Sequence, residues 1–308
     1  MMEEEKERER EKEKKIAIAK QIKDISLQQV EEEFKKLQDI GYHADEVSER
    51  SRIGNNVVDY FSFPQRLETR GKYNVNYFEF VSNIEMFKKK KFIENMLLYY
   101  KNVKNKNNKK NIYIVYKEVY NICISAINII RPLVYMEIYA RYQPNRILDF
   151  CAGWGGGAVG ASAMNIPSYI GIELNHDLKE PYHQLCSFLQ TTSSTTQVQM
   201  LFQNALDVDF SLFDYDFVFT SPPYYFIQKY KNNTEYTSKK EMDEHFYKPL
   251  FSKTFLSLKK GGVYCINVNK EVYENVLVDL LGPAHETFPY RKSKRQNNYQ
   301  EIVYAWRK

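Results

Sequence analysis

The spacing of apolar positions changes character once along this chain, near residue 130. Up to about Lys36 charges dominate. Met1 to Lys15 alternates Glu with Lys and Arg, and Ile16, Ile18, Ile22, Ile25 and Val30 form a thin apolar stripe at helical spacing. The spacing predicts an exposed helical extension over residues 1–38. From Asp39 to Val81 the chain is rich in aromatics but follows neither a helical nor a strand period, so no regular element is assigned there. Helical spacing returns from Phe87 to Tyr100, and again from Tyr113 to Ile130, where Val115, Val119, Ile122, Ala126 and Ile129 recur. Residues 39–129 therefore read as a mostly helical region.

After Arg131-Pro132 short apolar runs alternate with longer amphipathic ones, the pattern of a doubly wound parallel α/β sheet, here over residues 130–308. The expected strands are Arg146 to Phe150, Tyr169 to Leu174, Val198 to Phe202, Phe217 to Thr220 and Val263 to Val268, with a last one in the C-terminal EIVYAWRK. Met242, Phe246, Leu250, Phe251 and Phe255 mark a helix that closes before Gly261-Gly262. The fold class that follows is a Rossmann-like α/β sheet with an N-terminal helical extension.

Composition narrows this little. The 308 residues carry a net charge of +5, and the lysines are concentrated: Lys88 to Lys110 reads KKKKFIENMLLYYKNVKNKNNKK with Glu94 as its one acid, and Arg291, Lys292, Lys294 and Arg295 form a second cluster. Such runs neutralise phosphates, or else simply solvate a surface. Cys123, Cys151, Cys186 and Cys265 are scattered without a CxxC pair, and the five histidines do not fall at ligand spacing, so reduced thiols and no metal are expected. With no long apolar run and no basic-then-apolar leader, a soluble intracellular protein is the expectation.

Two stretches carry chemistry. Asp149-Phe150-Cys151-Ala152-Gly153-Trp154-Gly155-Gly156-Gly157 lies where a strand turns into a helix, and its glycines allow a ligand to approach the backbone closely. It lacks the Lys-Ser/Thr ending of a nucleoside-triphosphate loop. Glu173 ends the next strand, where a carboxylate can take both hydroxyls of a ribose. The pair fits an adenosine cofactor but does not by itself separate S-adenosylmethionine from a dinucleotide.

The second stretch is Thr220-Ser221-Pro222-Pro223-Tyr224-Tyr225, at the carboxyl end of the fourth strand. Two prolines there make a rigid turn at the ligand edge of the sheet. An exocyclic base amine is a poor nucleophile because its lone pair is delocalised into the ring. Acceptors at the Ser221 hydroxyl and Pro222 carbonyl, aimed at the two amine hydrogens, would pyramidalise the nitrogen toward a methyl donor, while Tyr224 stacks on the base. The target nucleotide would be flipped out or single-stranded.

LDFCAGWGGGAVGA, YIGIELN and FTSPPYYFIQKY resemble the amino-methyltransferase branch of the class I methyltransferases, in particular DNA methyltransferase-like proteins of phages and large DNA viruses. The likeness covers roughly Ile130 to the C-terminus. It implies S-adenosylmethionine as cofactor, with contacts from Asp149, Cys151, Gly153, Gly155 and Glu173 and with Asn204 at the adenine. Catalysis falls to Ser221, Pro222, Pro223 and Tyr224. Cys151 departs from the family, which usually has Phe at that place. Ser in the first catalytic position tilts the target toward N4 of cytosine over N6 of adenine. No dedicated recognition domain is evident, so nucleic-acid contact is expected from Lys88, Lys89, Lys90 and Lys91 and from the loop after the turn, at Tyr225 and Lys229, with DNA as the partner. Other readings remain: an RNA base or a protein glutamine as substrate, or a degenerate fold kept as a nucleic-acid-binding subunit.

Overall fold

The computed structural model describes residues 2–107, 109–125, 129–192, 194–226, 234–289 and 302–308. The α-helices among the described residues, in chain order, are α1 (Met2–Ile22), α2 (Leu27–Ile40), α3 (Asn55–Arg66), α4 (Tyr77–Ser82), α5 (Ile84–Lys88), α6 (Lys91–Tyr99), α7 (Ile112–Cys123), α8 (Pro132–Tyr142), α9 (Gly156–Ala163), α10 (Lys179–Thr191), α11 (Lys239–Met242), α12 (Lys248–Ser257), α13 (Lys270–Val272) and α14 (Val278–Leu281). The strands are β1 (Arg146–Asp149), β2 (Ser168–Glu173), β3 (Gln197–Phe202), β4 (Phe217–Thr220), β5 (Val263–Val268), β6 (Glu286–Pro289) and β7 (Ile302–Arg307).

The seven strands form one sheet in the order β3-β2-β1-β4-β5-β7-β6, parallel except that β7 runs antiparallel to both its neighbours. The chain winds outward from β1 to β3, then returns to β4 on the other side of β1. That reversal opens a crevice beyond the carboxyl ends of β1 and β4, where such sheets bind ligands. All residues of β4 and β5 are buried, which explains why both are apolar but for Thr220 and Asn267 near their carboxyl ends. In β4 the side chains alternate between faces. Phe217 and Phe219 meet Tyr139 and Tyr135 of α8 edge to face at 6.0 and 5.3 Å, and Val218 joins the cluster of Leu250, Phe251 and Tyr264. The C-terminal strand is locked by the stack of Tyr304 on Tyr273, 3.8 Å between ring centres, and by the Trp306 indole donating to the Gly282 carbonyl.

The chain divides into two compact units. Residues 28–61 and the described residues of 129–226 and 231–308 make up the one containing the sheet, and the described residues of the other fall within 2–27 and 62–125. In the second, Tyr120 of α7 donates to the carbonyls of Thr69 and Val75 and meets Tyr77 and Phe80 edge to face. A capping box between Asn76 and Glu79 starts α4.

Several expectations need correction. The charged extension is two helices rather than one. The chain breaks at Lys23–Ser26, α1 buries Ala19 in its own unit, and α2 buries Val30, Phe34 and Leu37 in the sheet unit, so the boundary at residue 38 is not a structural one. Between Asp39 and Val81 there are helices, α3 and the start of α4, because the aromatics point inward around more than one core and blur the period. The helix expected to reach Ile130 stops at Cys123, and Ala126 lies outside the described residues. β6 was not anticipated. It is a mostly exposed edge strand ending in proline, held by β7 alone, and such strands carry no clear alternation. The Arg291–Arg295 cluster lies outside the described residues.

Tyr273→Ala removes the stack on Tyr304 and is expected to lower the unfolding free energy by about 2–4 kcal/mol, read from urea denaturation with an unchanged m-value. A loss below ~1 kcal/mol would mean the C-terminal strand is held by its ladder alone.

Candidate functional site

Asp149 ends β1 with no exposed surface. Its carboxylate accepts from the Thr220 hydroxyl at 2.7 Å, the Tyr169 hydroxyl at 3.0 Å and the Cys151 amide at 3.3 Å. Burial pushes its pKa up to about 6, against the pull of those donors. Asp149 thus ties the start of the glycine turn to β2 and to the residue just before Ser221.

The turn itself is clipped from the next strand. Glu173 accepts from the Gly153 amide on one oxygen and the Asn175 amide on the other, both at 2.8 Å. The Leu174 amide also reaches this carboxylate, which with about four acceptor positions can still take a further donor such as a ribose hydroxyl. Burial raises Glu173 to about 7, offset in part by the backbone donors. Beneath the turn the Tyr182 hydroxyl donates to the Ala152 and Gly153 carbonyls, both at 3.1 Å. Gly153 has φ +57°, and a Cβ built on it would meet only the Cys151 carbonyl at 3.9 Å, so its outer side is open to a ligand. Gly157 has the opposite reason to be glycine: a Cβ would stand 2.8 Å from the Tyr169 hydroxyl, which the Asp149 network needs. Cys151 is partly exposed beside the turn, its thiol held protonated by burial and by the charges of Asp149 and Glu173. Asn204 follows β3 and uses its side-chain oxygen to cap Leu206, leaving the amide NH2 as the group with donors to offer.

At the end of β4, Ser221, Pro223 and Tyr224 are partly exposed and Pro222 is buried. The Ser221 hydroxyl lies 2.9 Å from that of Tyr224 and accepts from the Asn267 side-chain amide at 3.2 Å, and Tyr224 donates to the Asn267 carbonyl at 3.2 Å. With the Tyr224 proton on that carbonyl, the Ser221 proton goes to Tyr224. Ser221 Oγ, already accepting from Asn267, then has one lone pair left for an incoming donor. Asn267 itself is buried, and its Oδ1 has no partner among the described residues. Tyr247 holds the far side of the turn, donating to the Pro223 carbonyl and accepting from the Tyr225 amide.

Asp149, Cys151, Gly153 and Gly155 therefore lie along one turn, Glu173 is bonded to it from β2, and Thr220 couples it to Ser221–Tyr224. Tyr225 is a correction. Expected on nucleic acid, it is only 6% exposed, packs edge to face on Tyr247 and gives its hydroxyl to Asp243 at 2.9 Å, so it presents no free ring. The exposed aromatic is its neighbour Phe226. Lys229 lies outside the described residues. Sequence reasoning missed Asn267, Tyr247 and Tyr182. Asn267 alone had a signal, being a polar residue near the carboxyl end of the otherwise apolar β5, beside β4.

The sheet order, the glycine turn after β1 and the acid after β2 define a class I methyltransferase fold. The sequence model of a family described as RNA cap guanine-N2 methyltransferase matches residues 144–265, less than half of the chain but all of the turn, the acid and Ser221–Tyr224. The turn, the acid and this match agree on S-adenosylmethionine as the cofactor. No curated protein matches the chain. Similar solved structures include TrmN from Thermus thermophilus (16% identity over 56% of this chain and 48% of that one, TM-score 0.42) and NSun6 from Pyrococcus horikoshii with SFG (11%, 59% and 52%, 0.41). An rRNA methylase from Streptococcus thermophilus is also similar (11%, 53% and 86%, 0.37). The chain thus spans about half the length of the first two. At such scores the fold assignment stands on the sheet order rather than on these superpositions. Among the described residues no His, Cys, Asp or Glu cluster could hold a metal ion, and no helix is long and apolar enough to cross a membrane.

The two raised carboxyls fix the sign of the pH dependence. The folded protein keeps protons on Asp149 and Glu173 at pH values where the unfolded chain has lost them, so their contribution to stability falls as pH rises toward about 6 and 7 respectively. Ribose hydroxyls donating to Glu173 would need its ionised form. Affinity is expected to weaken roughly tenfold for each pH unit below about 7, and calorimetry on Glu173→Gln should find that slope gone together with about 1.5–3 kcal/mol of binding. Unchanged affinity in the variant would remove Glu173 from the ribose.

Proposed function

We propose that this methyltransferase modifies an exocyclic amino nitrogen of a nucleic-acid base. The observation that carries the reading is Ser221 Oγ, held by Asn267 and Tyr224 with one acceptor position left, at the carboxyl end of β4 and bonded through Thr220 and Asp149 to the cofactor turn. Glu173, Gly153 and Asn204 would hold S-adenosylmethionine, which supplies an electrophilic methyl on a sulfonium. The base amine donates one hydrogen to Ser221 Oγ and the other to the Pro222 carbonyl, which draws its lone pair out of conjugation. With that donor bound, the nitrogen would form the N–C bond as the donor's C–S bond breaks and its electron pair stays on sulfur, and the surplus proton on nitrogen would leave to water. Ring-carbon methylation is disfavoured, because it needs a thiolate nucleophile and Cys151 is both protonated and on the turn side.

Two polymers fit this chemistry. The matched family acts, by its description, on guanine N2 of the RNA cap, itself an exocyclic amine, whereas the Ser-Pro-Pro-Tyr segment resembles the DNA enzymes that methylate N4 of cytosine or N6 of adenine. RNA is the first substrate to test and DNA the second. Incubation with each and digestion to nucleosides should yield an N-methylated base. A 5-methylpyrimidine product would overturn the mechanism.

Within that reaction Ser221→Ala should lower kcat more than KM, since its acceptor matters most as the nitrogen pyramidalises. Tyr224→Ala should weaken base binding by roughly 1–3 kcal/mol, with cofactor affinity intact, and Tyr224→Phe should keep that binding. Asn267 is a positioning residue acting through Ser221. Asn267→Ala should lower kcat in the wild-type background and have no further effect in Ser221→Ala, a double-mutant cycle that a general loss of stability would not reproduce.

A further inference from the structure

We propose that α6 and the turn after it form a platform for single-stranded nucleic acid, on which Phe92 and Tyr99 stack against unpaired bases while the surrounding lysines neutralise phosphates. The helix continues past Tyr99 through Tyr100–Lys104, and one side packs inward through Ile93 and Leu97. Its other side exposes large apolar groups: Phe92 is 60% exposed, Tyr99 41% and Val103 60%. Phe92 and Tyr99 are seven residues apart, two helical turns, so they share a face.

What surrounds them is cationic. Lys104 lies 5.9 Å over the Tyr99 ring, and Lys90, just before α6, lies 4.5 Å over the half-exposed ring of Tyr73, which Lys72 also approaches at 5.1 Å. Lys88 pairs with Glu85 and Lys110 with Glu118, but Lys89, Lys91, Lys101 and Lys106 are exposed and form none of the salt bridges found among the described residues. A purely phosphate-binding surface would not need exposed rings. A protein-binding strip would not need a dense run of lysines with Glu94 as its one acid. Rings interleaved with ammonium groups suit a polymer that presents flat apolar faces and anions alternately. In a duplex those faces are stacked on each other and out of reach, so the partner is a single strand.

The test uses the full chain, a uridine or thymidine homopolymer of about 20 nucleotides and a mixed-sequence duplex of equal length, with binding followed by fluorescence anisotropy across a salt series. Phe92→Leu with Tyr99→Leu keeps apolar bulk but removes the rings, and should weaken single-strand binding at least about tenfold while leaving the salt slope and the duplex affinity as they were. Phe92→Trp with Tyr99→Trp should restore binding, which separates stacking from misfolding. Neutralising Lys88 to Lys91 should instead flatten the salt slope for both polymers. Undiminished single-strand binding in the leucine variant overturns the platform. So does an equal loss on the duplex, or a wild-type chain that self-associates through this face in sedimentation. Binding is read without turnover, so failure here leaves the methyl-transfer reading standing, and an inactive wild-type enzyme leaves this one standing.

Discussion

The buried carboxylate of Asp149 is the junction on which both halves of the site depend. A charge with no exposed surface is costly unless hydrogen-bonded, and the cost is visible in a pKa raised to about 6. Its donors come from different parts of the structure: the Cys151 amide from the glycine turn, Tyr169 from β2, Thr220 from the end of β4 and Tyr135 from α8. The glycine turn and the Ser221–Tyr224 turn are thereby referred to one point rather than held separately by packing. The same junction explains the glycine at position 157, since a side chain there would push Tyr169 off the carboxylate.

The second constraint is a turn that does not relax on its own. Tyr225 has φ +40°, a conformation that costs a non-glycine residue of order 1–3 kcal/mol and persists only when its surroundings impose it. Here they do. Tyr247 bonds to both sides of the turn, Asp243 takes the Tyr225 hydroxyl, and Tyr247 stacks at 5.5 Å on Phe251, which in turn meets Phe150 at 6.2 Å beside the glycine turn. A strained, over-determined backbone places Ser221 and Tyr224 without requiring them to find their positions when substrate arrives.

How much of this was legible in the sequence depends on whether a feature was local. The strands β1, β2, β4 and β5 could be read because buried parallel strands are largely continuous apolar runs and β3 from the apolar positions of its alternating sequence, while the glycine turn, Glu173 and Ser221–Tyr224 stood out because these residue types follow one another at the ends of β1, β2 and β4. The helices between Asp39 and Val81 could not, since their aromatics serve cores in both units and leave no single face. Tyr225 was misjudged because an aromatic in a lysine-rich stretch has the same appearance whether it faces solvent or supports a turn. Asn267 was missed because its partner Ser221 is 46 residues away and the pairing exists only through the β4–β5 register.

Chemistry and polymer choice need not reside in the same residues. Guanine N2, adenine N6 and cytosine N4 are all amines conjugated to a ring, and an acceptor at Ser221 with a second at the Pro222 carbonyl makes the same demand of each. On the proposed reading the turn would account for methylation of an amine and not for which one. Discrimination among them must come from groups that read the rest of the base, its neighbours or the 2′-hydroxyl. Lysines such as those before α6 see a phosphate in either polymer, so they add affinity without choosing between RNA and DNA. The exposed Phe226, next to the strained Tyr225, is the aromatic nearest in sequence to the catalytic turn that is free to take part in such a reading. On this account, exchanging Phe226 should alter which base is methylated more than how fast, whereas exchanging Ser221 should alter rate for every base alike.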